Sequence, residues 1–204
     1  MKILNIIILF VMSVNAQASL IIHDNLGSGD SYNPYSSWTI GGSNHDVDSA
    51  QSFVAQTTSF LTDIWVGIGL INGENVLDIG IYSDDAGEPN ELVESFQIIN
   101  AMSNHLDMDL IHITASGSTL LTAETRYWLV ASASSDTWAG WGWNSIGELG
   151  TNGYRYHADP WITGDSRTMG AFRIAATEVP EPATKFLLLI GLIGLVGHRR
   201  VRKG

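Results

Sequence analysis

Between Leu20 and Ala176 the chain repeats its apolar residues at every second position, in short runs, and sustains no long helical period. Ile64, Val66, Ile68 and Leu70 alternate with Trp65, Gly67 and Gly69. Leu77, Ile79 and Ile81 alternate with Asp78, Gly80 and Tyr82. Leu106, Met108 and Leu110 alternate with Asp107 and Asp109, and Ile111-His112-Ile113 continues out of phase, which suggests a bulge or a strand end. Tyr127, Leu129 and Ala131 alternate with Trp128 and Val130, and Ala171 to Ala175 supplies a plausible last strand. Side chains of a strand point alternately to its two faces, so each run describes a strand with one apolar face. Asn72-Gly73 reads as a hairpin turn between two of these runs, and Ser83 to Asn90 as a longer turn. Short strands separated by Gly, Asn and Asp predict an all-β chain, an antiparallel β-sandwich.

Charge is placed unevenly along the 204 residues. Six of the ten basic residues, Lys2, Lys185, Arg199, Arg200, Arg202 and Lys203, sit at the two ends. From Ser19 to Glu178 there are four arginines, no lysine and twenty acidic residues, a net charge of −16. Such a body repels nucleic acid and anionic lipid, so no nucleic-acid partner is expected. The chain has no cysteine, so no disulfide framework supports it and its stability rests on its core.

The ends read as targeting segments. Lys2 and the apolar run from Ile3 to Met12, broken by Asn5, precede Ala16-Gln17-Ala18, a small-x-small cleavage pattern. Residues 1–18 are therefore expected to be a signal peptide, cut after Ala18. At the other end Val179-Pro180-Glu181-Pro182 resists helix formation, because each proline fixes φ and lacks an N–H donor. An apolar stretch of about 183–197 follows and leads into the basic tail 198–204, with Arg199, Arg200, Arg202 and Lys203. A greasy stretch that ends in arginines stops translocation and keeps its basic end in the cytoplasm. It is short for a span, and Lys185 would snorkel to the outer interface. The expected layout is a signal peptide (1–18), an extracytoplasmic β-sandwich domain (19–177) and a C-terminal segment (178–204) holding one transmembrane helix.

The order Pro180-Glu181-Pro182, apolar 186–197, then Arg199, Arg200 and Arg202 resembles the PEP-CTERM sorting signal of Gram-negative bacteria. The same tail is also labelled an ice-binding-protein C-terminal motif. The resemblance implies recognition and cleavage by an exosortase, a membrane-embedded cysteine transpeptidase. It also implies entry through the Sec translocon, transient anchoring in the inner membrane, and release to the cell surface or extracellular matrix, with exopolysaccharide as an associated partner. Residues 50–54, 77–89 and 121–130 resemble the choice-of-anchor R domain of bacterial surface proteins. That resemblance implies a jelly-roll-like β fold and carries no functional residues with it.

Few residues suggest chemistry. Gly67-Ile68-Gly69 lacks the third glycine and the helix of a dinucleotide loop and reads as strand. Gly164-Asp165-Ser166 lacks the strand-before, helix-after setting of a catalytic serine and reads as a polar loop. His105, Asp107 and Asp109, like Asp46 and Asp48 in His45-Asp46-Val47-Asp48, hold the parity of one strand face. Oxygen ligands in such a row suit a cation, and a solvated outer face explains the row as well. Asp84, Asp85 and Asn90 lack the ligand spacing of a calcium loop and read as turn residues. Trp138, Trp141 and Trp143, followed by Tyr154, Tyr156 and Trp161, form the most suggestive cluster. Their rings suit either core packing or stacking on sugars, and Trp141 and Trp143 share a parity. The expectation is a non-catalytic surface or matrix protein that needs no cofactor. The alternatives are a secreted polysaccharide-active hydrolase, which would need paired carboxylates in a cleft, and a cation-dependent carbohydrate-binding module.

Overall fold

The computed structural model describes residues 19–42, 46–107, 109–133 and 136–179. Ala16 and Ala18, His45, Met108, Pro180, Glu181, Pro182, the apolar segment 183–197 and the basic tail with Arg199, Arg200, Arg202 and Lys203 lie outside the described residues. Of the tail motif only Val179 is described, and it is exposed.

The described residues form fourteen strands and no helix. They are β1 (Ser19–Asp24), β2 (Tyr32–Gly41), β3 (Val47–Ala55), β4 (Ser59–Val66), β5 (Ile68–Asn72), β6 (Val76–Asp85) and β7 (Glu88–Ile99). Then come β8 (Ile111–Thr114), β9 (Leu120–Leu121), β10 (Thr125–Ser132), β11 (Trp138–Asn144), β12 (Leu149–Tyr156), β13 (Ile162–Thr168) and β14 (Phe172–Glu178). One sheet runs β1-β14-β4-β8, with β9 beside β4. The larger runs β5-β11-β2-β3-β10-β6-β7, with β12 beside β3 and β13 beside β12. The ladders between strands are antiparallel.

The apolar faces of the two sheets meet as the alternation predicts. Ile22, Leu61, Ile64, Phe172 and Ile174 from the smaller sheet join Phe53, Ile79, Ile81, Leu129 and Trp141 from the larger one in a single buried cluster. The Phe53 and Phe172 rings meet edge to face, 6.3 Å apart. Each fully buried Ile or Leu contributes roughly 2 kcal/mol through removal of apolar area from water. That burial stands where disulfides would otherwise be needed.

Four local expectations change. The run from Ile64 to Leu70 is two strands, β4 and β5, parted at Gly67, whose N–H donates to Ala171 O at 3.0 Å. The Asn72-Gly73 turn does not make a hairpin, because β5 pairs with β11 while β6 pairs with β10 and β7. Gly73, at φ 88°, passes so close to Asp136 O that a Cβ would lie 1.8 Å from it. The turn after Ser83 is tighter than expected. Ala86 and Gly87 both have positive φ and close a two-residue hairpin between the paired Asp85 and Glu88.

The fourth change bears on function. Residues 105–107, 109 and 110 belong to no strand. Asn104 starts a turn in which its Oδ1 accepts from Leu106 N at 3.0 Å and its carbonyl accepts from Asp107 N at 2.8 Å. The buried Tyr32 hydroxyl then donates to the carbonyls of Asp107 (2.9 Å) and Asp109 (3.1 Å). The loop is held by its backbone, and Leu106 is exposed. Burial and the two nearby aspartates push the Tyr32 hydroxyl pKa up to about 12.

Candidate functional site: an aromatic groove in a forked sheet

Strands β2 and β3 follow each other in the chain, yet they pair at one position, Gly41 with Val47. Gly41 and Gly42 carry φ of 65° and 101°, conformations open mainly to glycine. A Cβ on Gly41 would lie 2.1 Å from Thr137 O, and Gly42 N–H donates to that oxygen at 2.8 Å. The glycines turn the chain sharply where a side chain has no room, and β2 diverges from β3. The edge it leaves is taken by β12, with Tyr156 opposite Val47, Tyr154 opposite Ser49 and Asn152 opposite Gln51. The large sheet therefore forks, with β2 and β12 as its prongs and β3 at its base.

A groove of about 320 Å³ opens between the prongs, lined by Ser37, Trp38, Thr39, Val47, Ser49, Tyr154 and Tyr156. Val47 and Ser49 are buried and form its floor. Trp38 is held on one wall by its indole N–H, which donates to Thr168 O at 2.8 Å. Trp143 packs against it, with ring centroids 5.7 Å apart. On the other wall Tyr154 and Tyr156 meet edge to face at 5.7 Å. Ring surfaces over a floor that carries the Ser49 hydroxyl offer both contacts that a sugar requires, a stacking face for its C–H groups and a hydrogen-bonding partner for its oxygens.

The six aromatic residues singled out in the sequence divide three ways. Tyr154 and Tyr156 line the groove and Trp143 supports it. Trp141 is 0 % exposed, meets Phe172 edge to face at 6.2 Å and donates its indole N–H to Ala171 O at 3.0 Å. It belongs to the core. The shared parity of Trp141 and Trp143 holds, and Trp138, of opposite parity, is 42 % exposed on the outer face. Trp161 packs on the outer face with Ala50, Trp128, Val130 and Tyr82, beneath the Arg155 guanidinium at 4.6 Å. Sequence reasoning missed Trp38, which lies far from the cluster in the chain. Its parity with Ile40 on one strand was the available signal.

Charged side chains at neighbouring positions do not line the groove. Arg155 Nε donates to Asp48 at 2.7 Å, and burial nonetheless raises the Asp48 pKa above the ordinary carboxylate value. Asp46 lies 3.3 Å from the His157 imidazole. His105, Asp107 and Asp109, on a loop, do not form the expected strand row. Among the described residues no group of three His, Cys, Asp or Glu side chains is placed to hold a cation. Gly164-Asp165-Ser166 lies within strand β13, where Asp165 accepts from the Thr151 hydroxyl at 2.5 Å and Ser166 takes a positive φ of 57°. It is a strand irregularity rather than the polar loop expected.

Comparison with curated proteins found no match. Among the described residues no helix is long and apolar enough to cross a membrane. Residues 178–203 match the PEP-CTERM protein-sorting motif. The match spans the proline pair, the apolar stretch and the arginines that carried the resemblance. Through this PEP-CTERM protein-sorting motif the chain is marked as an exported protein that an exosortase recognises and that is transiently anchored in the membrane by its C-terminus.

Proposed function

We propose that this is a non-catalytic surface or matrix protein whose β domain holds extracellular polysaccharide in the groove between β2 and β12. It enters by the Sec translocon, loses residues 1–18 and is cut near Pro180 by the exosortase. The observation that carries the reading is the convergence of Trp38, Tyr154 and Tyr156 from two separate prongs onto one groove with a hydroxyl-bearing floor. Among the described residues that line it there is no carboxylate and no imidazole, which suits holding a glycan rather than cleaving one. The acidic, lysine-free body keeps such a domain soluble and away from anionic lipid once released. The resemblance of residues 49–174 to a domain of variably anchored surface proteins agrees with it.

Binding to a panel of immobilised polysaccharides tests the groove. Trp38→Ala or Tyr154→Ala should weaken retention at least tenfold, the equivalent of about 1.4 kcal/mol. Trp138→Ala, on the opposite face, should leave it unchanged. Retention on no glycan by the wild-type chain would refute the binding reading. Intact mass of the cell-surface protein tests the sorting reading. A mature form starting at Ser19 and ending near Pro180 is expected, and replacement of Arg199, Arg200 and Arg202 by alanine should leave the tail uncut.

A further inference from the structure

The outer face of the larger sheet carries a hollow of about 410 Å³ over β10, β6 and β7. Ile79, Ile81 and Leu129 face the core, so Asp78, Gly80, Tyr82 and Val130 face outward. Rows of cross-strand partners build the hollow. Ser132, Asp78 and Gln97 form a polar row. Val130, Gly80 and Ser95 form the next, and Tyr82 lies beside Leu92 in the third. The rows are two residues apart along each strand, about 7 Å. Gly80 shapes the floor. A Cβ there would lie 2.6 Å from the Tyr82 ring and 3.0 Å from Leu92 Cδ1, so both side chains fold down over it. Glycine weakens a strand interior and is kept where something approaches the backbone closely; here that is the Tyr82 ring. The lining is open to solvent. Asp78, Tyr82 and Ser132 are half-buried, and Ser95 and Gln97 are exposed.

The polar row is biased toward acceptors. Gln97 Nε2 donates to Asp78 Oδ1 at 3.1 Å, which leaves Asp78 Oδ2 and Gln97 Oε1 as acceptors. The hydroxyls of Ser95 and Ser132 both donate and accept. Among the described residues that line the hollow there is no lysine, arginine or histidine. A ligand here must bring O–H donors, an apolar face for Tyr82 and no negative charge. A pyranose supplies the first two through its hydroxyls and its C–H groups. A uronate would set its carboxylate against Asp78, within a body of net charge −16. One carboxylate, already shared with an amide and flanked by hydroxyls, matches hydroxyls better than an ammonium group. We propose that the outer face of β10, β6 and β7 is a second ligand site, one that takes a neutral hexose unit of a polysaccharide. It shares no lining residue with the groove between β2 and β12 and does not depend on it.

Titration calorimetry on the full Tyr154→Ala chain, in a detergent without a sugar headgroup, tests the site with the groove disabled. The probes are soluble oligomers of equal length: a glucan, a mannan, a galactan, an oligouronate and an oligomer of glucosamine. At least one neutral oligomer should bind tenfold or more tightly than either charged one. Asp78→Ala should weaken that binding tenfold or more. So should Tyr82→Leu, which keeps a cover over Gly80 and removes the ring. Asp78 lies at the surface, so Asp78→Ala provides the test if Tyr82→Leu fails to fold. Immobilised polysaccharide engages both sites at once, so loss of either lowers retention there, whereas short oligomers on this chain read the outer site alone. Neutral-oligomer binding by the wild type that Tyr154→Ala abolishes would belong to the groove, and the proposal would fall while the groove stood. Tighter binding of a charged oligomer, binding that survives both substitutions, or no binding of any neutral oligomer would also overturn it.

Discussion

His23 is a buried imidazole with a calculable consequence for acid stability. It lies on β1 just past a bulge and stacks on Phe172 at 4.2 Å, with Phe53 at 6.5 Å. Its Nε2 is buried without a partner. Burial lowers its pKa from 6.5 to about 4, against the opposing pull of Asp24. Asp24 is itself bound by Arg173 at 2.9 Å. The unfolded chain takes up a proton on this imidazole below pH 6.5, while the folded chain refuses it until about pH 4. Across that window the unfolded state binds more protons, so stability falls as pH falls. The gap corresponds to about 3 kcal/mol at roughly 1.4 kcal/mol per pKa unit. His23→Phe keeps an aromatic ring against Phe172 and removes the titration. Urea unfolding of both proteins at pH 7, 5 and 4 measures the difference. The carboxylates titrate in both and cancel, among them Asp48 and Glu148, whose pKa values burial raises, and Glu94, whose pKa the Thr119 and Ser116 hydrogen bonds lower against a desolvation that raises it. The variant should gain about 3 kcal/mol on the wild type between pH 7 and pH 4. A stability difference that stays constant across this range would refute the reasoning.

Two further substitutions probe the fold. Trp141→Ala, at a fully buried ring, should cost about 3–5 kcal/mol in denaturant unfolding. Trp141→Phe should cost roughly 1 kcal/mol more than its loss of area, for the hydrogen bond to Ala171 O. Asp84 accepts from the Trp128 indole at 2.7 Å and from Gly87 N at 3.3 Å, so Asp84→Ala should cost about 2–3 kcal/mol. It should also speed amide exchange at Gly87 by loosening the β6–β7 turn.

The sandwich was legible because its information is local. Ile79 and Ile81 on β6, Leu129 on β10 and Ile174 on β14 each announce a buried face by alternation alone. The same local signal misled at Leu106 and Leu110. There Asn104 starts a turn and Tyr32, more than seventy residues away, fixes the backbone through its hydroxyl. Alternation cannot register a competitor that distant. Asn72-Gly73 failed for a related reason. The dipeptide specifies a turn, but whether the flanking strands pair depends on β10 and β11, which insert later in the chain. The groove was half visible. Tyr154 and Tyr156 advertise a shared face, whereas Trp38 reaches them only because Gly41 and Gly42 split the sheet.

The split also explains how a groove wall becomes rigid in a protein without disulfides. The chain from Thr168 to Ala171 crosses from the larger sheet to the smaller one, and polar side chains grip it along its length. Trp38 donates to Thr168 O, Asn144 to Met169 O and Asn25 to Gly170 O, Gln51 accepts from Gly170 N, and Trp141 donates to Ala171 O. Trp38 is thus fixed by the segment that closes the sandwich, and Trp141 by the same segment one turn of contacts deeper. A ligand entering beside Trp38 meets a ring whose orientation the core has already set, so association sacrifices little side-chain freedom there. The same coupling runs in reverse. Damage to Trp141 loosens the crossover, and the groove should lose its shape before the sandwich loses its strands.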